Sequence, residues 1–364
     1  MDAFRSYCQR LRKDPETGQN RFCVVQAEDE IGALGMVVGA GWSGVRAFTS
    51  TSGPGLSLMT ELLGYAYFAE IPVVVFDIQR VGPSTGLPTR TQQSDLLAAA
   101  YASHGDTRQV LLFPANPQEC FHLSVKAFDL AERLQSPVIV LSDLDIGMND
   151  WMVSELEWDE SYSPDRGKVL DASALQTVEA FSRYLDLDGD GICYRTYPGV
   201  DEKGAYFTRG SGHDEHSAYT ERPDDYQRLM ERLRRKSDTA AELVPAAQLR
   251  RAPRETSYGI IAFGSSDGAV VEAIARLEES EVTVDYLRIR AFPFGREVGK
   301  FLDEHERIFV VEQNRDAQLK SLLQLEMDVQ PEKLISVLSF SGFPIDYRCI
   351  YKSLFDELKA NKVA

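Results

Sequence analysis

The chain has 364 residues and a formal charge of −17, with 56 acidic against 39 basic side chains. At about 150 residues per domain, the length fits two to three domains. A hydrophobic content of 43% supplies real cores, which excludes a disordered tail or a small stapled scaffold. The acidic balance excludes a non-specific nucleic-acid binder, because phosphate neutralisation needs an excess of Lys and Arg, and it disfavours anionic membrane surfaces.

Five scattered cysteines, Cys8, Cys23, Cys120, Cys193 and Cys349, include no C-x-x-C pair. They form neither a disulfide framework nor a ligand set for zinc or an iron–sulfur cluster, so no metal site is expected on this chain. The first residues lack the apolar core of a signal peptide. Apolar runs of about eight residues or fewer fall short of the roughly 18 that a membrane span needs. The expectation is a cytoplasmic protein with reduced thiols and no membrane partner.

In chain order, residues 21–26 (RFCVVQ) read as a short strand. The acids Glu28, Asp29 and Glu30 lead a helix over Ile31–Gly41, where acids in a first turn complement the helix dipole. Val45–Thr51 reads as a strand, the S-G-P-G of residues 52–55 as a break, and Leu56–Ala69 as a helix. Pro72–Ile78 (PVVVFDI) is a continuous apolar run, the mark of a strand buried on both faces. Val110–Phe113 and Pro137–Leu141 repeat it around a helix at Pro117–Leu134. Alternating short buried strands and helices imply a parallel α/β sheet.

From about residue 148 to 226 the periodicity fades into an irregular excursion, a length uncommon unless functional or held against another surface. Within it Phe181–Leu185 reads as a short helix. The aromatic group Tyr194, Tyr197, Tyr206, Phe207 and Tyr219 suits a subunit interface. Residues 228–255 read as a helix followed by a linker, and a second α/β unit begins at Ser257. The expected organisation is a first domain over 1–235, a linker over 236–256 and a second domain over 257–364.

The pattern with most chemical content is Thr49-Ser50-Thr51-Ser52-Gly53-Pro54-Gly55, strand into helix. Two glycines permit close approach of a ligand to the backbone, and helix N-terminal amides suit an anionic or polar group. Alone, G-P-G is a turn signal. Here an acid-led helix (Glu30-Ile31-Gly32-Ala33-Leu34-Gly35) precedes it and Glu70-Ile71-Pro72-Val73-Val74-Val75 follows it. Then come Arg80-Val81-Gly82-Pro83-Ser84-Thr85-Gly86-Leu87-Pro88-Thr89 and His104-Gly105-Asp106. Further on stand Asp188-Gly189-Asp190-Gly191-Ile192 and the block Lys203 to Gly210 (KGAYFTRG).

Together these residues resemble the α subunit of 2-oxoacid:ferredoxin oxidoreductases, of the 2-oxoglutarate type, over essentially the whole chain. The resemblance implies two α/β parallel-sheet domains: a pyrimidine-binding domain of thiamine-diphosphate enzymes, then a transketolase C-terminal-like domain. Family members open the first domain with a G-N-x-A unit and a Y-P-I-T-P-S loop. Neither occurs in this sequence, so the resemblance implies a domain that is N-terminally incomplete and lacks an upstream γ domain.

The implied reaction is CoA-dependent oxidative decarboxylation of 2-oxoglutarate to succinyl-CoA with ferredoxin reduction. Pyruvate or a branched-chain oxoacid is the alternative substrate, and a truncated, non-catalytic assembly subunit the alternative class. The implied cofactor is thiamine diphosphate with Mg²⁺, shared with a β subunit that carries the iron–sulfur cluster. The implied partners are that β subunit, a γ-type subunit or the missing N-terminal segment, and ferredoxin, in a hetero-oligomer in which the isolated chain is inactive.

The resemblance makes Glu30 the catalytic carboxylate, hydrogen-bonding the cofactor's aminopyrimidine, with Glu28 and Asp29 as competitors. It makes Arg80 and Thr85 ligands of the oxoacid, against a structural ion pair for Arg80. Ser52, Gly53 and Gly55 become cofactor-loop residues. His104 reads as a structural histidine ahead of a catalytic one. Asp186–Gly191 matches the first half of a calcium loop, but its twelfth position is Tyr197 where a bidentate Glu is needed, so an acidic turn or incidental cation site is favoured. Glu312-Gln313-Asn314 is family-like, with no chemistry assigned.

Overall fold

The structure is a computed structural model. It describes residues 2–363, with side chains through residue 358. The chain opens with a helix, α1 (Asp2–Leu11), followed by extended chain without regular structure over 12–29. Residues 21–26, expected as a strand, belong to that extended stretch: Cys23 and Val25 are exposed, and no neighbouring strand pairs with them. A β-branched run becomes a strand only where a sheet edge receives it.

Next come α2 (Glu30–Trp42), β1 (Phe48–Thr51), α3 (Gly53–Ala69), β2 (Val73–Gln79), α4 (Leu96–Ala100), β3 (Val110–Leu112), α5 (Pro117–Leu134), β4 (Pro137–Asp143) and α6 (Leu144–Met148). The irregular excursion holds α7 (Ala172–Thr177) and one 3₁₀ turn (Glu202–Gly204). Phe181–Leu185 is not helical; the chain turns there to bring Tyr184 into the interior. The remaining elements are α8 (Pro223–Leu243), β5 (Gln248–Arg250), β6 (Tyr258–Phe263), α9 (Asp267–Glu279), β7 (Asp285–Ile289), β8 (Ala291–Phe292), α10 (Arg296–Glu304), β9 (Arg307–Glu312), α11 (Gln318–Glu326), β10 (Leu334–Leu338) and α12 (Tyr347–Val363). Residues 236–256 thus carry the last turns of α8 and the whole of β5.

Two five-stranded sheets result, ordered β1-β2-β4-β3-β8 and β10-β9-β6-β7-β5. Each is parallel except for one antiparallel edge strand, β8 and β5 respectively. The sheets are not independent. β8 lies in the second half of the chain but pairs with β3, Leu111 opposite Phe292. One apolar core runs from Val75, Leu111 and Ile139 of the first sheet to Ile261, Leu287 and Val310 of the second.

Alternation along β2 sets the site. Val73 and Val75 face the core shared with Leu56, Met59 and Leu63 of α3, whereas Val74 and Phe76 face Leu123, Ala127 and Leu130 of α5. With a period of two, Asp77 and Gln79 continue the row facing α3. Both are buried to 1% exposure or less.

The irregular excursion is anchored by charge. Glu70, in the left-handed region at the end of α3, is fully buried and receives Arg232 Nη2 at 2.6 Å and Lys236 Nζ at 2.9 Å from α8. Burial opposes ionisation of Glu70, but the charges of Arg232 and Lys236 prevail and hold its carboxyl well below the usual range. Arg183 adds a bond to the Glu70 carbonyl and lies over the rings of Tyr184 and Tyr206. Part of the aromatic group expected at an interface is therefore used internally: Lys168 lies over Tyr194, and Arg166 and Arg195 over Tyr197. Phe207 and Tyr219 stay exposed.

The acidic turn at Asp186–Gly191 encloses an ammonium group. Lys168 Nζ lies 2.6 Å from Asp188 Oδ2 and 2.8 Å from Asp190 Oδ1, and it donates to the Ile192 carbonyl at 2.9 Å. Asp186 accepts from the amides of Gly189 and Gly191. Among the described residues no cluster of His, Cys, Asp or Glu is arranged to hold a metal ion.

Candidate functional site

The first turn of α3 sits at the C-terminal edge of the first sheet, where open α/β sheets bind their ligands. Its helix starts at Gly53, three residues earlier than the sequence reading. Ser52 is the extended N-cap residue, and its side chain makes no capping bond. First-turn amides without intrahelical partners carry the positive end of the helix dipole.

The two glycines of this turn face two carboxylates. A Cβ on Gly55 would lie 2.6 Å from Glu30 Cγ and 1.9 Å from Thr51 Oγ1. A Cβ on Gly53 would lie 2.8 and 2.9 Å from the carboxylate oxygens of Asp95. Only glycine allows either approach, since real side chains do not tolerate such contacts. The turn is thus flanked by Glu30 on one side and Asp95 on the other.

The three competing acids of α2 are separated by their positions. Asp29 is the N-cap, accepting from the Gly32 amide at 2.7 Å. Glu28 is exposed. Glu30, the first helical residue, is half-buried and is the one that meets Gly55.

Arg80 follows β2 directly. Its Nε is buried without a hydrogen-bond partner, and its charge acts on Asp95. The loop it starts folds back on itself: the Val81 amide donates to the Arg90 carbonyl, and the Leu87 amide to Val81. Arg90 of this loop lies over Phe343, with its guanidinium carbon 4.4 Å from the ring centroid. Glu30, Ser52, Gly53, Gly55 and Arg80 therefore gather around one helix turn and one strand end. Thr85 lies at the exposed end of the loop, away from this buried group. His104 is exposed and faces Glu61 at 3.6 Å on the surface.

Two site residues were not singled out from sequence. Asp95 touches Gly53, and Asp77 lies beside it; the signal was a lone acid inside the apolar run PVVVFDI. Burial and then the neighbouring Asp95 push the Asp77 carboxyl well above the usual range, and burial pushes Asp95 up to about 6.

Glu312, Gln313 and Asn314 lie at a seam between the halves. Asn314 Nδ2 donates to the Gln93 carbonyl at 3.0 Å, the Gln93 amide donates to the Gln313 carbonyl at 2.8 Å, and Gln93 Nε2 donates to the Phe263 carbonyl at 3.1 Å. Ser265 Oγ donates to Asp143 Oδ2 at 2.6 Å. Glu312 accepts from the amides of Leu319 and Lys320 and caps the turn into α11. These contacts are structural.

Comparison with known proteins places the chain in a family. Residues 7–170 match the family model described as pyruvate flavodoxin/ferredoxin oxidoreductase, thiamine diphosphate-binding. A 2-oxoacid:ferredoxin oxidoreductase α subunit from Aeropyrum pernix is 36% identical over 327 residues, covering 88% of this chain and 49% of the relative. The chain thus spans about half the length of several curated relatives. The 2-oxoglutarate synthase subunit KorA of Methanothermobacter thermautotrophicus is 35% identical over 302 residues, 80% of this chain and 75% of that protein. The structure of 2-oxoglutarate:ferredoxin oxidoreductase from Magnetococcus marinus, with 2-oxoglutarate, coenzyme A and succinyl-CoA bound, superposes with a TM-score of 0.83 at 30% identity. It covers 94% of this chain and 58% of its own. With a relative this similar matched over three quarters of its length, and the same fold throughout, the chain belongs to the 2-oxoacid:ferredoxin oxidoreductase α-subunit family.

Proposed function

We propose that the chain acts as the α subunit of a CoA-dependent 2-oxoglutarate:ferredoxin oxidoreductase whose active site is completed by a β subunit. The observation that carries the reading is the first turn of α3, with Glu30 against Gly55 on one flank and Arg80 near the other. In this reading residues 1–235 form the pyrimidine-binding-like domain and 257–364 the second domain.

The residues present fit thiamine diphosphate. Glu30 and Thr51 pack against the bare Cα of Gly55, so a half-buried carboxylate stands beside exposed helix-start backbone. Glu30 would hold the aminopyrimidine, while Ser52, Gly53 and Gly55 would bring backbone against it. When bound, the cofactor supplies a nucleophilic carbon and a sink for the electrons left by decarboxylation.

The chain's own residues then bind and orient. Arg80 can receive the oxoacid carboxylate in a two-pronged bond, and Thr85, on the loop that Arg80 starts, is assigned to the same substrate. Removing two electrons from the decarboxylated substrate, one at a time, requires clusters, and the dispersed cysteines offer no ligand set. Those clusters, the Mg²⁺ and the docking of ferredoxin are assigned to the β partner. The substrate bound in the Magnetococcus marinus relative favours 2-oxoglutarate.

Co-expression with the cognate β chain tests the reading. CoA-dependent viologen reduction should occur with 2-oxoglutarate well above that with pyruvate, and the α chain alone should be inactive. Greater activity with pyruvate would replace the substrate. A stable complex inactive with every oxoacid would favour an assembly subunit.

A further inference from the structure

Three carboxylate oxygens at the end of β2 have no hydrogen-bond donor. Asp77 is 0% exposed and neither of its oxygens is met; Asp95 Oδ2 is also buried and unmet. Arg80 Nε is buried without an acceptor. The two carboxyl groups face each other, and Asp95 is fixed by its backbone N–H, which donates to Gln79 Oε1 of the same strand row as Asp77 at 3.1 Å, and by the bare face of Gly53. Carboxylates are acceptors only, so two that face each other away from water are satisfied by a proton between them.

We infer that Asp77 and Asp95 share one proton and, by holding the pair at a single negative charge, keep Arg80 able to receive an oxoacid carboxylate. The inference rests on the reading of Arg80 as the substrate arginine. One negative charge balances one guanidinium. Two would leave the pocket net negative before the substrate's own carboxylate arrives, and that carboxylate would be repelled. Asp77 and Asp95 are positioning residues: they act through Arg80.

Among the described residues no side chain donates a hydrogen bond to Asp77 or to Asp95 Oδ2. On β2 and its extension the charged groups are Asp77 itself and Arg80. β1 presents Thr51 opposite Asp77, which does not titrate in this range. Asp143 of β4 is engaged by Ser265 and the amides of Asp145 and Ile146, and Asp145 of α6 accepts from Asn149. Glu30 of α2 lies across the first turn of α3, against Gly55. Burial and then the neighbouring Asp95 raise Asp77, whereas burial raises Asp95 against the lowering effects of Asp77 and Arg80, the unequal pattern of a pair in which Asp77 holds the proton and Asp95 accepts it.

The assembled α–β enzyme provides the test, with two readouts. Infrared difference spectra of wild type against Asp77→Asn should contain a protonated-carboxyl band near neutral pH that shifts in D₂O; Asp95→Asn provides the same comparison if the first variant assembles poorly. Absence of that band in both comparisons overturns the shared proton. Separately, KM for the oxoacid should rise about tenfold per pH unit above the pair's upper ionisation, and the rise should vanish in Asp77→Asn, whose amide cannot ionise. An unchanged alkaline rise in that variant overturns the role in substrate binding. Arg80→Lys distinguishes the underlying reading: it should raise KM strongly at all pH values. An unaltered KM there removes Arg80 from substrate binding and the pair's role with it, while leaving the infrared result standing.

Discussion

At the scale of single residues, the first turn of α3 is shaped by what is missing at two positions. Adding a methyl at Gly55 would push it into Glu30 and Thr51. A displacement of about 1 Å at a catalytic group can cost about a hundredfold in rate. Gly55→Ala should therefore reduce turnover of the assembled enzyme by about that factor, and weaken thiamine diphosphate binding measured by calorimetry. A variant with wild-type kinetics would separate Glu30 from the reaction. Glu30→Gln keeps the shape and removes the charge. It should abolish turnover while gel filtration still shows the α–β complex, because the substitution is isosteric at a half-buried position. The assignment of Glu30 over its neighbours was open in the sequence, since three acids in a row satisfy the same helix-start preference. The backbone separates the three by position: Asp29 serves as the N-cap and Glu28 is exposed.

At the scale of elements, the connection between α3 and α8 explains why the long excursion can be ordered with so little regular structure. Glu70 at the end of α3 meets Arg232 near the middle of α8 and Lys236 one turn further on. Removing one partner of a buried ion group strands the others, at a cost of about 3–5 kcal/mol. Glu70→Gln should lower stability by that amount in denaturant unfolding at neutral pH. The sign of the pH effect follows from its depressed ionisation. The stabilisation is present above the usual carboxylate range and is lost as pH falls through and below it. The difference between wild type and Glu70→Gln should accordingly shrink on acidification below about pH 4.5. A difference that stays constant down to pH 2 would contradict an ionised Glu70. The acidic turn at Asp186–Gly191 belongs to the same level of organisation. Its calcium-like spacing was legible, but a lysine eighteen residues upstream occupies the position a cation would take. No local pattern places that lysine there.

At the scale of the whole molecule, two α/β units share one interior. β8 adds to the first sheet, and Gln93 stitches the C-terminal edges of both sheets together. Gln93 Oε1 accepts from Ser266 Oγ at 3.1 Å and from the Gln313 amide at 3.2 Å, while its Nε2 donates to Phe263. Truncating it leaves several buried polar groups unmet, each costing about 1–3 kcal/mol. Gln93→Ala should destabilise by about 3 kcal/mol and lower both halves together in a single calorimetric transition. Two resolved transitions in the wild-type chain would show that the seam does not couple them.

The sequence by itself determined the alternation of buried strands and helices, the break at Ser52–Gly55, and the run of acids that leads the helix before it. These are local signals: apolar runs, glycine pairs and acids at helix starts act through near neighbours along the chain. It did not determine that RFCVVQ remains extended chain, that Arg232 and Lys236 are spent on Glu70, or that Asp77 faces Asp95. Each of those depends on which distant segment arrives alongside. A strand needs an edge to join, a buried charge needs its counter-charge, and two carboxylates come to share a proton only when packing removes both from water. Folding of the tertiary structure alone brings those groups together, and with them the electrostatics of the site.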